Sequence, residues 1–141
     1  KKEGLYPVGR LDKDSEGLLI LTNDGRITSK ILSDKERYEK EYIVTTKEKI
    51  DFGIIKILES GMTTKRFGKL LPIKAEIMGD NKIKLILREG KRRQIRVMLE
   101  ELSYTVESLK RVRIGDIKLD RLKPGESESI DEDKVAKIYS G

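Results

Sequence analysis

Apolar residues recur along the chain with two spacings, one close to the helical repeat of about 3.6 residues and one alternating, and together they lay out an intermixed series of helices and strands. Residues 17–22 form an apolar, β-competent run that ends in Asn23-Asp24-Gly25. Those three residues tolerate the positive φ of tight turns, so a buried strand entering a turn is expected there. Ile27, Ile31 and Leu32 carry helical spacing through residues 26–32, a short amphipathic helix ahead of the charged stretch 33–41. Residues 42–46 are β-branched and aromatic, hence a strand. Phe52, Ile55 and Leu58 predict a helix over residues 49–59 packed on a sheet, with Gly61 placed to stop it.

Residues 73–78 and 82–88 read as two strands of a hairpin joined through Gly79-Asp80-Asn81, the second alternating polar and apolar side chains. A helix is predicted over residues 92–102, its core face Ile95, Met98, Leu99 and Leu102 and its N-terminal end basic. Residues 106–115 and 117–122 have the character of short strands, and residues 131–139 that of a closing helix with acidic residues in its first turn. The mixture lacks the regular βαβ alternation of a parallel sheet. An α+β fold follows, with a mainly antiparallel mixed sheet and flanking helices. A length of 141 residues suits one domain, residues 1–141, and no internal repeat is visible.

Composition narrows the chemistry. The chain has no Cys and no His, which removes thiolate catalysis, disulfides, imidazole acid-base chemistry and nearly all zinc sites. Carboxylates, Tyr, Lys, Arg or hydroxyls must therefore do any work. A net charge of +6 favours a polyanionic partner, because each Lys or Arg that meets a phosphate releases condensed counterions. No apolar run approaches the roughly 18 residues needed to span a bilayer, and the N-terminus lacks the order of a signal peptide, so a soluble, cytoplasmic protein is expected. The sequence begins at Lys1 with residues that read as the middle of a longer chain.

Four groups of residues carry candidate chemistry. Gly9-Arg10-Leu11-Asp12, followed by Asp14-Ser15-Glu16-Gly17, puts an acid in a loop ahead of a buried strand. Beside Arg10, such a carboxylate favours its charged form and can serve as nucleophile or base, although a loop Asp making turn hydrogen bonds has the same appearance. Glu89-Gly90-Lys91-Arg92-Arg93-Gln94-Ile95-Arg96 gathers four basic residues where a helix begins, a pattern shared by anion sites and by solvated helix faces. Arg96 neighbours the apolar stripe, so it is the one expected to reach inward, with Asp12 as its carboxylate partner. Tyr42 opens a strand and either packs in the sheet or stacks on a base. Leu109-Lys110-Arg111-Val112-Arg113 alternates apolar and basic residues, as an RNA-facing edge strand would.

In order and wording these groups resemble the pseudouridine synthases of the RsuA, RluB, RluE and RluF group, which modify ribosomal RNA. The likeness rests on Tyr6-Pro7-Val8-Gly9-Arg10-Leu11-Asp12, on residues 15–25, on Lys40-Glu41-Tyr42, on Glu89-Gly90-Lys91 with Gln94-Ile95-Arg96, and on residues 109–115. It implies the catalytic fold of that family, here without its first strand and without the small RNA-binding domain that usually precedes it. It also implies Asp12 as the essential aspartate, Tyr42 as the base-stacking tyrosine, Arg96 as the basic residue paired with that aspartate, and Leu109 as a pocket residue near the uracil. Arg10, Lys91, Arg92, Arg93, Gln94, Lys110, Arg111 and Arg113 would then contact substrate RNA. Val97 stands where the family generally has a second Arg.

The reaction implied is isomerisation of a uridine in ribosomal RNA, or in transfer RNA, with Asp12 either attacking C1′ or removing the 2′ proton, and it needs no metal or cofactor. Two rival readings stay open on the sequence: a basic RNA-binding module or an inactive fragment of such an enzyme that still binds, and a hydrolase using Asp12 and Asp14 as paired carboxylates, which would yield cleaved RNA or free uracil.

Overall fold

The structure is a computed structural model that describes residues 4–9, 11–32, 38–120, 122–124 and 127, so the helix expected over residues 131–139 lies outside the described residues. In chain order the elements are strands β1 (Tyr6–Pro7), β2 (Glu16–Gly17) and β3 (Leu21–Thr22), helix α1 (Gly25–Leu32), strand β4 (Lys40–Thr46) and helix α2 (Gly53–Glu59). They continue with strands β5 (Thr63–Thr64), β6 (Gly68–Lys69), β7 (Lys74–Gly79) and β8 (Lys82–Leu87), helix α3 (Gln94–Glu101), and strands β9 (Val106–Ile114) and β10 (Ile117–Lys118). No helix among the described residues is long and apolar enough to cross a membrane.

The main sheet runs in the order β10-β9-β4-β8-β7, and every pairing along that path is antiparallel. β2 adds a parallel pairing to β9, Glu16 opposite Lys110 and Gly17 opposite Arg111, which makes the sheet mixed as expected. The expected hairpin is present as β7 and β8. The expected continuous strand over residues 17–22 is instead two short pieces, β2 against β9 and β3 against β1. Between them Leu18 and Ile20 are buried, so the apolar run serves packing more than strand pairing.

Two apolar clusters hold the fold. The larger packs one face of the sheet, with Val44, Ile83, Leu85, Leu87 and Leu109, against Ile54 and Leu58 of α2 and Ile95, Met98 and Leu99 of α3. Each such buried aliphatic side chain contributes about 2 kcal/mol relative to exposure. The smaller joins Val8, Leu18 and Ile20 to Ile27 and Ile31 of α1 and to Ile114 and Ile117.

Phe52, expected in the core, is 78% exposed. The helix starts one residue later, at Gly53, and the i, i+4 pair that faces the sheet is Ile54 and Leu58. Gly61 has φ +87° just beyond the end of α2, and there it does act as the stop. β9 is not an edge strand. It lies between β4 on one side and β2 and β10 on the other, because residues 16–17 and 117–118 pair back onto it.

Candidate active site

A cavity of about 340 Å³ opens where the two clusters meet. Its apolar lining comes from Val8, Ile31 and Ile114 of the smaller cluster and from Leu87, Ile95 and Leu109 of the larger. The polar lining includes Asp12, Tyr42, Arg111, Lys91, Arg92 and Arg93. Residues some 80 positions apart in sequence thus meet at one opening, where apolar and basic side chains stand beside the Asp12 carboxylate of the 11–20 loop.

That loop is held from below. Val8 N–H donates to the Ile20 carbonyl at 2.7 Å, Leu18 N–H to the Arg111 carbonyl at 2.7 Å, and Arg111 Nε to the Leu18 carbonyl at 2.9 Å. Gly17 makes the close approach possible: it has φ +119°, and a Cβ there would stand 2.2 Å from the Arg111 carbonyl oxygen. Between these ties the chain turns, Ser15 N–H donating to the Asp12 carbonyl at 2.9 Å, and the half-buried Asp12 side chain lines the cavity.

The second loop, residues 88–93, is held by buried polar side chains. Gln94, 3% exposed, accepts from Lys91 N–H at 3.1 Å and donates to Glu89 Oε1 at 3.1 Å, and Glu89 in turn accepts from Leu71 N–H at 2.9 Å. Gln94, expected to touch RNA, lines the cavity, and its amide groups are engaged within the protein, where they hold the loop in shape. Lys91, Arg92 and Arg93 are left at the cavity as expected.

The expected ion pair of Asp12 with Arg96 is not formed. Arg96 does reach inward, being 8% exposed, but it meets the next acid of the loop. Its Nη2 donates to the Asp14 carbonyl at 2.7 Å and to Ser15 Oγ at 3.3 Å. Its Nε stands 3.4 Å from Asp14 Oδ1, close enough for ion pairing though not aligned as a hydrogen bond. Arg93 donates to both Asp14 oxygens, at 3.0 Å each, from a left-handed backbone with φ 57° at the start of α3. The turn over residues 12–15 explains the shift, because it aims Asp14 at α3 and Asp12 at the cavity. Among the described residues no side chain donates to the Asp12 carboxylate.

The hydrogen bonds from Arg93, aided by the charge of Arg96, lower Asp14 from the ordinary 3.8 to about 2. A group with a depressed folded value contributes stability above its unfolded value and loses it as pH falls through the folded one. The acid limb of unfolding should therefore carry an Asp14 component between about pH 4 and pH 2, a small one because the side chain is 49% exposed. Thermal midpoints of wild type and Asp14→Asn should converge across that window, and parallel curves would show that the pair is absent in solution.

The remaining expected contacts separate by face. Period-two alternation puts Leu109 and Arg111 inward and Lys110 outward, so these three cannot face one ligand together. Lys110 is exposed and outside the cavity lining. Arg111 is 5% exposed and lines the cavity, its Nη2 buried without a hydrogen bond among the described residues. Arg113 also stands outside the lining, donating to Glu41 at 2.9 Å, to the Gly115 carbonyl at 2.7 Å and to Glu39 at 3.3 Å. Arg10 lies outside the described residues. Lys40, Arg88 and Glu89, to which no separate role was assigned from sequence, also line the cavity. Their position in the same short motifs as Tyr42 and Lys91 was the available signal.

Comparison with known proteins adds a family context. The sequence profile of a family described as RNA pseudouridylate synthase matches residues 1–101. An uncharacterized RNA pseudouridine synthase of Borreliella burgdorferi is 37% identical over 140 residues, covering 99% of this chain and 55% of that protein. The ribosomal large subunit pseudouridine synthase B of Bacillus subtilis is 33% identical over 140 residues, covering 95% of this chain and 57% of that protein. A crystal structure of a pseudouridylate synthase superposes with TM-score 0.92 at 32% identity, over 96% of this chain and 60% of that one. The chain thus spans little more than half the length of these curated relatives.

Proposed function

Because the chain belongs to the RNA pseudouridylate synthase family, we propose that it isomerises a uridine of ribosomal RNA to pseudouridine, with Asp12 as the essential carboxylate and residues 1–141 acting as one catalytic unit. The choice of ribosomal RNA is supported by the large-subunit enzyme of Bacillus subtilis among its relatives. The observation that carries the reading is the cavity itself, where the Asp12 carboxylate, the Tyr42 ring and an aliphatic wall lie beside Lys91, Arg92 and Arg93.

In this reaction the C1′–N1 bond breaks, the uracil turns, C5 bonds to C1′, C5 gives up its proton and N1 gains one. Atoms and electrons balance without a redox partner, so the demand on the protein is positioning and a carboxylate in reach of the ribose. Asp12 supplies that carboxylate, by attack at C1′ or by removal of the 2′ proton. Tyr42 and Leu109, diagonal to each other across the paired strands β4 and β9 and both in the cavity lining, support contact of the base with an aromatic ring and an aliphatic side chain. The uridine has to leave its stack to enter, and Lys91, Arg92 and Arg93 at the opening are suited to the flanking phosphates. Arg96 acts one step back, through the loop that it holds.

The test is release of tritium from ribosomal RNA transcribed with uridine labelled at C5. Release as water, with pseudouridine in the digested product, is expected. Free uracil or a cleaved strand would mean a hydrolase, and tight RNA binding without release would mean a non-catalytic binder.

A further inference from the structure

We propose that the β5–β6 hairpin is a second RNA-binding surface, on which Lys65, Arg66 and Lys69 take phosphates of the RNA away from the uridine that enters the cavity. This rests on the RNA partner of the function proposed above and goes beyond it, since that reading uses only the cations at the cavity.

The hairpin reads Thr63-Thr64-Lys65-Arg66-Phe67-Gly68-Lys69, with Thr63 opposite Lys69 and Thr64 opposite Gly68. Its three cations are exposed, while its frame is fixed from inside. Thr64, 3% exposed, accepts from Phe67 N–H at 2.9 Å and donates to the Gly68 carbonyl at 3.3 Å, and Gly68 takes the left-handed position at φ +70°. The Phe67 side chain packs against the larger apolar cluster, and the Arg66 guanidinium lies 5.4 Å from the centre of its ring. An arginine held on an aromatic face loses less freedom when it binds, and its N–H groups remain available to a phosphate.

Charge pairing sets these residues apart from the arginines elsewhere in the fold. Arg88, Arg93, Arg96 and Arg113 each meet a carboxylate. Lys65, Arg66 and Lys69 make no ion pair among the described residues, and Lys69 Nζ donates only to the Ser60 carbonyl, at 3.4 Å. Glu101, the acid that meets the hairpin, turns its carboxylate to the Lys65 main-chain N–H, at 3.1 Å to each oxygen. Placement suits an extended polyanion. The eight residues of α3 run from Gln94, beside the cavity, to Glu101, beside the hairpin, which sets the two about 12 Å apart, three or four steps of about 3.4 Å along a duplex strand. The two cation groups are also tied together. Leu71 N–H, just past the hairpin, donates to Glu89, the carboxylate that holds Gln94 and through it Lys91.

The experiment measures filter binding of a ribosomal RNA transcript across salt for wild type and two triple variants of equal charge change. One carries Lys65→Ala, Arg66→Ala and Lys69→Ala. The other carries Lys56→Ala, Lys74→Ala and Lys82→Ala, exposed lysines of α2, β7 and β8. The hairpin variant is expected to bind about 10- to 30-fold more weakly near 0.1 M salt, with the slope of log affinity against log salt reduced by about two, the loss of two to three phosphate contacts. The second variant should stay within about threefold of wild type. Unchanged affinity and slope in the hairpin variant would overturn the proposal, and so would equal losses in both variants, which would mean attraction by overall charge. Contact is checked in an otherwise intact hairpin with a photocrosslinker on Lys69→Cys, the only thiol in a chain without Cys. Crosslinking to the transcript is expected, and its absence would overturn the proposal. A wild type that binds RNA yet releases no tritium would remove the catalytic reading and leave this surface standing, whereas one that binds no RNA would overturn the surface itself.

Discussion

Asp12→Asn is expected to lower the rate of pseudouridine formation by roughly 10⁴-fold or more, the scale of losing a group that reacts with substrate, with RNA affinity held within about twofold. The second half follows from where binding arises. Affinity for RNA comes mainly from cations meeting phosphates, and Lys91, Arg92 and Arg93 at the opening are untouched by the change. Folding should be equally indifferent, because the Asp12 side chain is half-buried and receives no side-chain hydrogen bond among the described residues. The measurement is single-turnover tritium release, with filter binding of the same RNA. A variant that kept a tenth of the wild-type rate would rule out Asp12 as the reacting group, whichever of the two routes the reaction follows.

The largest expected effect on stability comes from Gly17→Ala. A Cβ at this position would lie 2.2 Å from the Arg111 carbonyl oxygen and 2.5 Å from its nitrogen, and both neighbours are backbone of a strand paired on its other side. Neither can move without breaking β9 from β4 or β2. The backbone, at φ +119°, is also one that residues with a Cβ rarely adopt. Clash and strain together should cost about 3 kcal/mol or more, which for a chain of this size is a fall of roughly 10 °C in thermal midpoint. Activity should fall as well, because the β2–β9 contact sets the height of the Asp12 loop over the cavity. Thermal unfolding of the purified variant checks this, and a midpoint within about two degrees of wild type would show that β2 is free to leave β9 at little cost.

Much of the fold was legible in sequence, and the particular successes share a cause. Ile95, Met98 and Leu99 lie inward because a helix of any length presents i, i+3 and i+4 to one side, and the β7–β8 hairpin forms because Gly79-Asp80-Asn81 turns between two strand-competent runs. The apolar run from Gly17 shows the limit. Its burial was evident, yet its division between β2 and β3 depended on which strands it met. Phe52 failed for a related reason: helical spacing is the same whether a helix starts at residue 49 or 53, and Phe52, at the N-cap, stands ahead of the turn that carries Ile54 and Leu58 to the sheet.

The site divides in the same way. Sequence by itself determined the chemical inventory: no thiol, no imidazole, a carboxylate at Asp12 in a family-specific loop, a tyrosine opening a strand, and a basic cluster ahead of a helix. Residue type is intrinsic and motif spacing is local, so both survive without a fold. Tertiary structure alone decided the partners. Only folding shows that Arg96 meets Asp14 instead of Asp12, that Gln94 closes a loop inside the protein, that Arg113 is taken up by Glu39 and Glu41, and that Arg111 turns inward beside Leu109. The bonds of Arg96 and Arg113 are settled by distances of a few ångströms between segments about 70 to 80 residues apart. A turn of four residues reorients a carboxylate by more than that.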